Sequence, residues 1–140
     1  MNGHSVIHST FSLERVYQAT PARVFAAWAD PGAKARWFAG PDSEHRLDFR
    51  VGGREVARGA NRDGDMLTFE STYHDIVPQA RIVYGSSLSV RDKLATVSLT
   101  TVETWSAGER LPPAVTCLAR SKNAARFASD KRPSATPKIS

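Results

Sequence analysis

Apolar and polar positions alternate with period two along most of the chain, and the interruptions of that alternation mark the elements. Phe11, Leu13, Arg15, Tyr17 and Ala19 alternate with Ser12, Glu14, Val16 and Gln18, which predicts a first strand over 11–19 despite the misplaced Arg15 and Val16. At Thr20-Pro21 the pattern changes to a helix start, because threonine is a favoured N-cap and proline at the first helical position forfeits no hydrogen bond. Val24, Phe25 and Trp28 then share one helical face, Asp30-Pro31-Gly32 ends the helix, and a second short helix is expected over 33–38. Leu47, Phe49 and Val51 alternate with Arg46, Asp48 and Arg50, and Gly52-Gly53 is expected to supply the positive φ angles of a tight turn before a return strand from Glu55 to Gly59. Asn61 to Asp65 reads as another turn. A long strand from Met66 to Val77 puts Leu67, Phe69, Ser71 and Tyr73 on one face, with Thr68, Glu70, Thr72 and His74 on the other. After a turn at Pro78-Gln79, Ile82, Tyr84, Leu88 and Val90 share a parity. Beyond Arg91-Asp92-Lys93 a further strand presents Ala95, Val97, Leu99, Thr101, Glu103 and Trp105 together. Successive antiparallel strands with two helices after the first define an α+β protein.

The pattern fails near Glu109. Four of the eight prolines (Pro112, Pro113, Pro133 and Pro137) fall in residues 109–140, and Pro112-Pro113 removes two backbone donors where another strand is expected. Beyond Cys117 only Leu118, Phe127 and Ile139 are large and apolar, so a short helix over Leu118 to Asp130 is the most that the pattern supports. The division expected is therefore a flexible leader over 1–10, one domain over 11–108, and a poorly packed basic tail over 109–140.

Charge sharpens that division. Residues 1–108 hold 12 basic and 12 acidic residues, whereas 109–140 hold 7 and 2, so the net charge of +5 belongs to the tail. A neutral body argues against a nucleic-acid-binding face. With 41% hydrophobic and 24% charged residues in 140, the chain has the composition of a single globular domain. No apolar run reaches the roughly 20 residues of a membrane helix, and no basic-then-apolar leader opens the chain, so the expectation is a cytoplasmic protein without a membrane partner.

Candidate chemistry is sparse. A lone Cys117 makes no intrachain disulfide, and His4 and His8 sit in a polar leader rather than in a metal-ligand constellation. The acidic turn at 61–65 lacks the twelve-residue calcium-loop ligand set, and Gly52-Gly53 lacks the Lys-Ser/Thr of a phosphate loop. No Gly-x-Ser-x-Gly elbow is present. No catalytic residue, metal or cofactor is therefore assigned. Glu70 and His74 share a strand face but stand roughly 13 Å apart on strand geometry, and Asp48 and Arg50 are expected to form a surface ion pair of little energetic weight. Trp28, Trp37, Phe49, Phe69, Tyr73, Tyr84 and Trp105 are the candidates for lining a binding cavity, because aromatic rings supply apolar area and tyrosine and tryptophan add a polar tip.

Three stretches together resemble the activator-of-Hsp90-ATPase-like family, within the START/Bet v 1-like group: Arg15 to Trp28, then Asp30-Pro31 with Arg36-Trp37-Phe38 and the Asp48-Phe-Arg-Val-Gly-Gly53 element, then Tyr73 to Tyr84. The resemblance covers about Phe11 to Gly108. It implies a helix-grip fold, in which a curved antiparallel sheet wraps a long C-terminal helix and leaves a cavity between them. Here the segment that should form that helix is missing or replaced. What the resemblance implies for function is a non-catalytic module binding a small apolar ligand. Its alternatives are a cyclase- or dehydratase-like enzyme, using an inward-facing Glu55, Glu70 or His74 as acid or base, and a co-chaperone-like contact with an Hsp90-type chaperone. An uncovered sheet face further implies either a homodimer or partial cover by a short helix around Leu118 to Phe127.

Overall fold

A computed structural model of the chain describes residues 6–106 and 114–126. Its elements run β1 (Val6–Tyr17), α1 (Pro21–Ala29), α2 (Pro31–Phe38), β2 (Glu44–Leu47), β3 (Arg54–Ala60), β4 (Met66–Val77), β5 (Arg81–Val90), β6 (Lys93–Ser106) and β7 (Val115–Arg126). Among the described residues the strands form one antiparallel sheet, ordered β1-β7-β6-β5-β4-β3-β2. No helix follows α2 there.

The two helices start as the sequence dictates. Thr20 caps α1 by accepting from the Arg23 amide at 3.2 Å, with Pro21 in the first turn. Asp30 serves twice: its amide donates to the Ala26 carbonyl at the end of α1, and its carboxylate accepts from the Ala33 amide at 2.8 Å to open α2. That double cap, with Pro31 in the first turn, starts α2 at Pro31 rather than at residue 33. The Trp37 indole donates to the Ala27 carbonyl at 2.8 Å and fastens α2 to α1.

The turns follow local chemistry with one correction. Arg91 and Asp92 both adopt positive φ (53° and 64°), which suits the two-residue hairpin between Val90 and Lys93. At Gly52-Gly53 only Gly52 has positive φ (81°). Gly53 is needed for another reason, since a Cβ there would lie 2.1 Å from the Asp48 carbonyl oxygen. β2 ends at Leu47, and residues 48–53 form a loop that docks on β4 through a Gly52-to-Tyr73 bond of 2.8 Å and a Tyr73-to-Gly53 bond of 3.0 Å.

Both ends of the sheet correct the sequence reading. The first strand begins at Val6, so residues 6–10, expected in a flexible leader, pair with residues 122–126. Residues 115–126, expected as a poorly packed tail or in part as a helix, form β7, which pairs with β1 on one side and β6 on the other. Pro112 and Pro113 lie outside the described residues, as do 127–130 of the expected helix. β7 carries Val115, Cys117, Ala119, Ser121 and Asn123 inward, and Arg120 and Lys122 outward to solvent. Part of the surplus positive charge is thus the exposed face of a strand.

The core lies between the helices and the concave face. Val24 and Trp28 of α1 pack with Tyr73, Ile82, Tyr84, Val102, Val115 and Cys117. Phe49, in the loop after β2, plugs one end, its ring 5.6 Å from Phe25 and 5.0 Å from Tyr73.

Candidate ligand-binding cavity

The helices cover only part of the concave face, and the uncovered part is an open cavity of about 570 Å³. That volume lies within the range of small-molecule sites. Its aromatic side comes from Trp28 of α1, Trp37 and Phe38 of α2, Phe69 of β4, Tyr84 of β5 and Phe11 of β1. Phe38 meets Phe69 edge to face at 4.8 Å, and Trp28 meets Trp37 in the same way at 4.9 Å, so the rings of two helices and the sheet brace one another. The floor across β5, β6 and β7 is different. It carries Ser86, Ser98, Thr100, Ser121 and Asn123.

Beneath the aromatic wall lies a buried ionic cluster. Lys34 of α2 is 1% exposed and Glu55 of β3 is 0% exposed. The Lys34 ammonium donates to Glu55 Oε1 at 2.5 Å and to the Tyr73 hydroxyl at 3.3 Å, while Tyr73 also donates to Glu55 Oε1 at 3.2 Å. His45 Nε2 donates to Glu55 Oε2 at 2.7 Å. The ammonium lies 4.7–5.9 Å from the ring centres of Phe38, Trp28, Tyr84, Trp37 and Tyr73, a cage that offsets part of its lost hydration. Burial lowers the pKa of Lys34, and the adjoining Glu55 carboxylate pulls it back up. Burial raises both Tyr73 and Tyr84, with Glu55 reinforcing the rise, so each stays a neutral phenol. Burial also pushes the Cys117 thiol up to about 11.

Four of the seven aromatic candidates, Trp28, Trp37, Phe69 and Tyr84, line the cavity. Phe49 and Tyr73 belong instead to the packed core behind it. Trp105 is a correction: it sits on the outer face and is 45% exposed. The β5–β6 register pairs Ile82 with Val102 and Tyr84 with Thr100, which turns Thr100, Val102 and Thr104 inward and Val97, Leu99 and Trp105 outward. Of the acid/base candidates only Glu55 faces inward. Glu70 is exposed, 3.7 Å from Arg54, and His74 is exposed at a bulge in β4. Asp48 and Arg50 form the expected exposed pair at 2.8 Å.

Sequence reasoning missed Lys34 and the polar floor. Lys34 stands three and four residues before Trp37 and Phe38, hence on their side of α2, and that spacing was the available signal. The floor residues gave none, because serine, threonine and asparagine on a strand look like a solvated face. Among the described residues no group of three or more His, Cys, Asp or Glu side chains is placed to hold a metal ion. No described helix is long and apolar enough to cross a membrane.

Comparison with known proteins places these features in context. The family model described as activator of Hsp90 ATPase homolog 1-like protein matches residues 18–109. The Mll3558 protein of Rhizobium loti is 37% identical, with a TM-score of 0.81 over 91% of this chain and 86% of its own. A protein of Rhizobium leguminosarum is 33% identical, with a TM-score of 0.76 over 89% of this chain and 84% of its own. The CV1439 protein of Chromobacterium violaceum is 27% identical, with a TM-score of 0.63 over 81% and 79%. No curated protein sequence matches the chain.

Proposed function

Given that the chain belongs to the activator of Hsp90 ATPase homologue 1-like family, we propose that it is a non-catalytic module that binds a small, mainly apolar ligand in the cavity between the helices and the concave sheet. The observation that carries this reading is the open, aromatic-walled space of about 570 Å³. Apolar surface of that kind gains free energy when a ligand displaces its water, at roughly 25 cal/mol per Å².

The enzyme reading needs an acid or base that a ligand can reach. Glu70 and His74 lie on the exposed face. Glu55 is inward but fully buried, and both its oxygens are held by Lys34, Tyr73 and His45. It is not among the residues lining the cavity. This arrangement favours binding over proton transfer.

The test is a screen of small apolar compounds by thermal shift and native mass spectrometry. Stabilising one-to-one ligands are expected. Ala57 lines the cavity from β3, and Ala57→Leu, which fills part of the space, is expected to weaken every hit by about tenfold, a change of about 1.4 kcal/mol. A screen without hits, or hits indifferent to Ala57→Leu, would overturn the reading.

A further inference from the structure

The polar floor of the cavity is one connected ribbon, and the state of its hydrogen bonds specifies what it lacks. Ser86 of β5 pairs across the sheet with Ser98 of β6, Ser98 with Asn123 of β7, and Thr100 with Ser121, so a ribbon of hydroxyl and amide groups crosses three strands on the concave face. Its internal bonds run one way. Ser98 and Ser121 both donate to Asn123 Oδ1, the latter at 2.9 Å. Ser121 has thereby used its proton, so Thr100 donates in the 3.1 Å bond between them. Two hydroxyl donors thus fix the Asn123 carboxamide through its oxygen. Its Nδ2 group, with two N–H donors, has no partner among the described residues, and Asn123 lines the cavity.

A fixed, unused donor at an apolar cavity selects for an acceptor. The charge of that acceptor follows from what surrounds it. The only ionisable side chain with a formal charge among the lining residues is Arg58, which is exposed. The Lys34 charge is already matched by Glu55. A carboxylate brought to Asn123 would lose hydration without a cation to replace it, whereas a neutral oxygen loses far less.

We infer that the Asn123 carboxamide is the polar anchor of this cavity, and that its ligands are neutral, largely apolar molecules bearing a carbonyl or hydroxyl oxygen. The inference rests on the binding reading above and adds the chemical class. An apolar ring system lies against Trp37, Phe38 and Phe69, and its oxygen accepts from Asn123 Nδ2.

Three probes of one shape separate the possibilities: ethylnaphthalene, acetylnaphthalene and naphthoate, each substituted at the same ring position. Binding is followed by quenching of tryptophan fluorescence, since Trp28 and Trp37 line the cavity. The wild-type protein is expected to bind acetylnaphthalene about tenfold more tightly than ethylnaphthalene, and naphthoate most weakly. Asn123→Asp keeps the acceptor for Ser98 and Ser121 but removes the donor. It is expected to reduce the acetyl preference to below about twofold while ethylnaphthalene still binds, which also reports an intact cavity. Asn123→Leu, which adds no charge, is expected to do the same. A preference for acetylnaphthalene that survives both substitutions overturns the anchor. Tightest binding of naphthoate overturns the neutral class, and so does failure of all three probes in a protein that binds other compounds. Failure of every compound overturns the binding reading itself.

Discussion

Lys34 shows how much a single residue can hold in place. Its ammonium is buried among five rings and bonded to a fully buried carboxylate, on a helix that also carries Trp37 and Phe38 into the cavity wall. Breaking such a pair by removing one partner leaves an unmatched buried charge, which commonly costs about 3–5 kcal/mol. Lys34→Met is therefore expected to lower the unfolding free energy by that amount in urea titrations, and the double variant Lys34→Met/Glu55→Gln to lose less than the two singles together. Loss below about 1 kcal/mol, the range of a surface pair, would show that the cluster is hydrated in solution. Cys117 allows a test of pH dependence. Its thiol ionises near 9 when unfolded and near 11 when folded. Between those values the unfolded chain binds fewer protons, so stability falls as pH rises through this window. The fall from pH about 9 to 11 is expected to be smaller in Cys117→Ala. Lys34, Tyr73 and Tyr84 are common to both proteins and cancel in the difference, while Tyr17, whose pKa the Cys117 charge helps to raise, adds to the difference in the same direction. Identical slopes would place the thiol in water.

At the scale of the element, β1 and β7 carry the consequences. Residues 6–10 pair with 122–126, and cross-strand pairs contribute roughly 0.2–1 kcal/mol each. Deletion of residues 1–10 is thus expected to lower stability by about 1–5 kcal/mol, measured as a lower denaturant midpoint; an unchanged midpoint would restore the reading of a leader. β7 was hidden for a physical reason. Its inward side chains beyond Cys117 are Ala119, Ser121 and Asn123, because there the strand faces a cavity rather than a packed core. Period-two alternation is visible only when the inward side is apolar and large. The same cause misplaced Trp105: β6 turns serine and threonine toward the cavity and leaves Val97, Leu99 and Trp105 outside. The helices were legible because Thr20-Pro21 and Asp30-Pro31 act within one turn of themselves.

For the molecule as a whole, the sheet is closed by strands from opposite ends of the described chain, since β7 lies between β1 and β6. A fragment of residues 1–108 would leave β1 without a partner and open the core at Val115 and Cys117, both buried. It is expected to show no cooperative unfolding transition, and the full chain to unfold with coincident tryptophan-fluorescence and far-UV circular dichroism curves. A cooperative fragment would show that β7 is dispensable. The sequence by itself determined features with local causes: the Thr20-Pro21 helix start, the turns at 61–65 and after Val77, the alternation of β4, and the family resemblance carried by residues 15–84. It also nominated seven aromatic residues, because their rings supply apolar area, and four of them, Trp28, Trp37, Phe69 and Tyr84, line the cavity. Only the tertiary structure decided the rest. The pairing of β1 with β7, the burial of Lys34 against Glu55 and the polar floor ending at Asn123 each join residues far apart in the chain. Their side chains are lysine, glutamate, serine and asparagine, which read as surface until a partner is known. Burial of such groups is set by the hydrogen bonds and charges they meet, and those partners are specified by the fold.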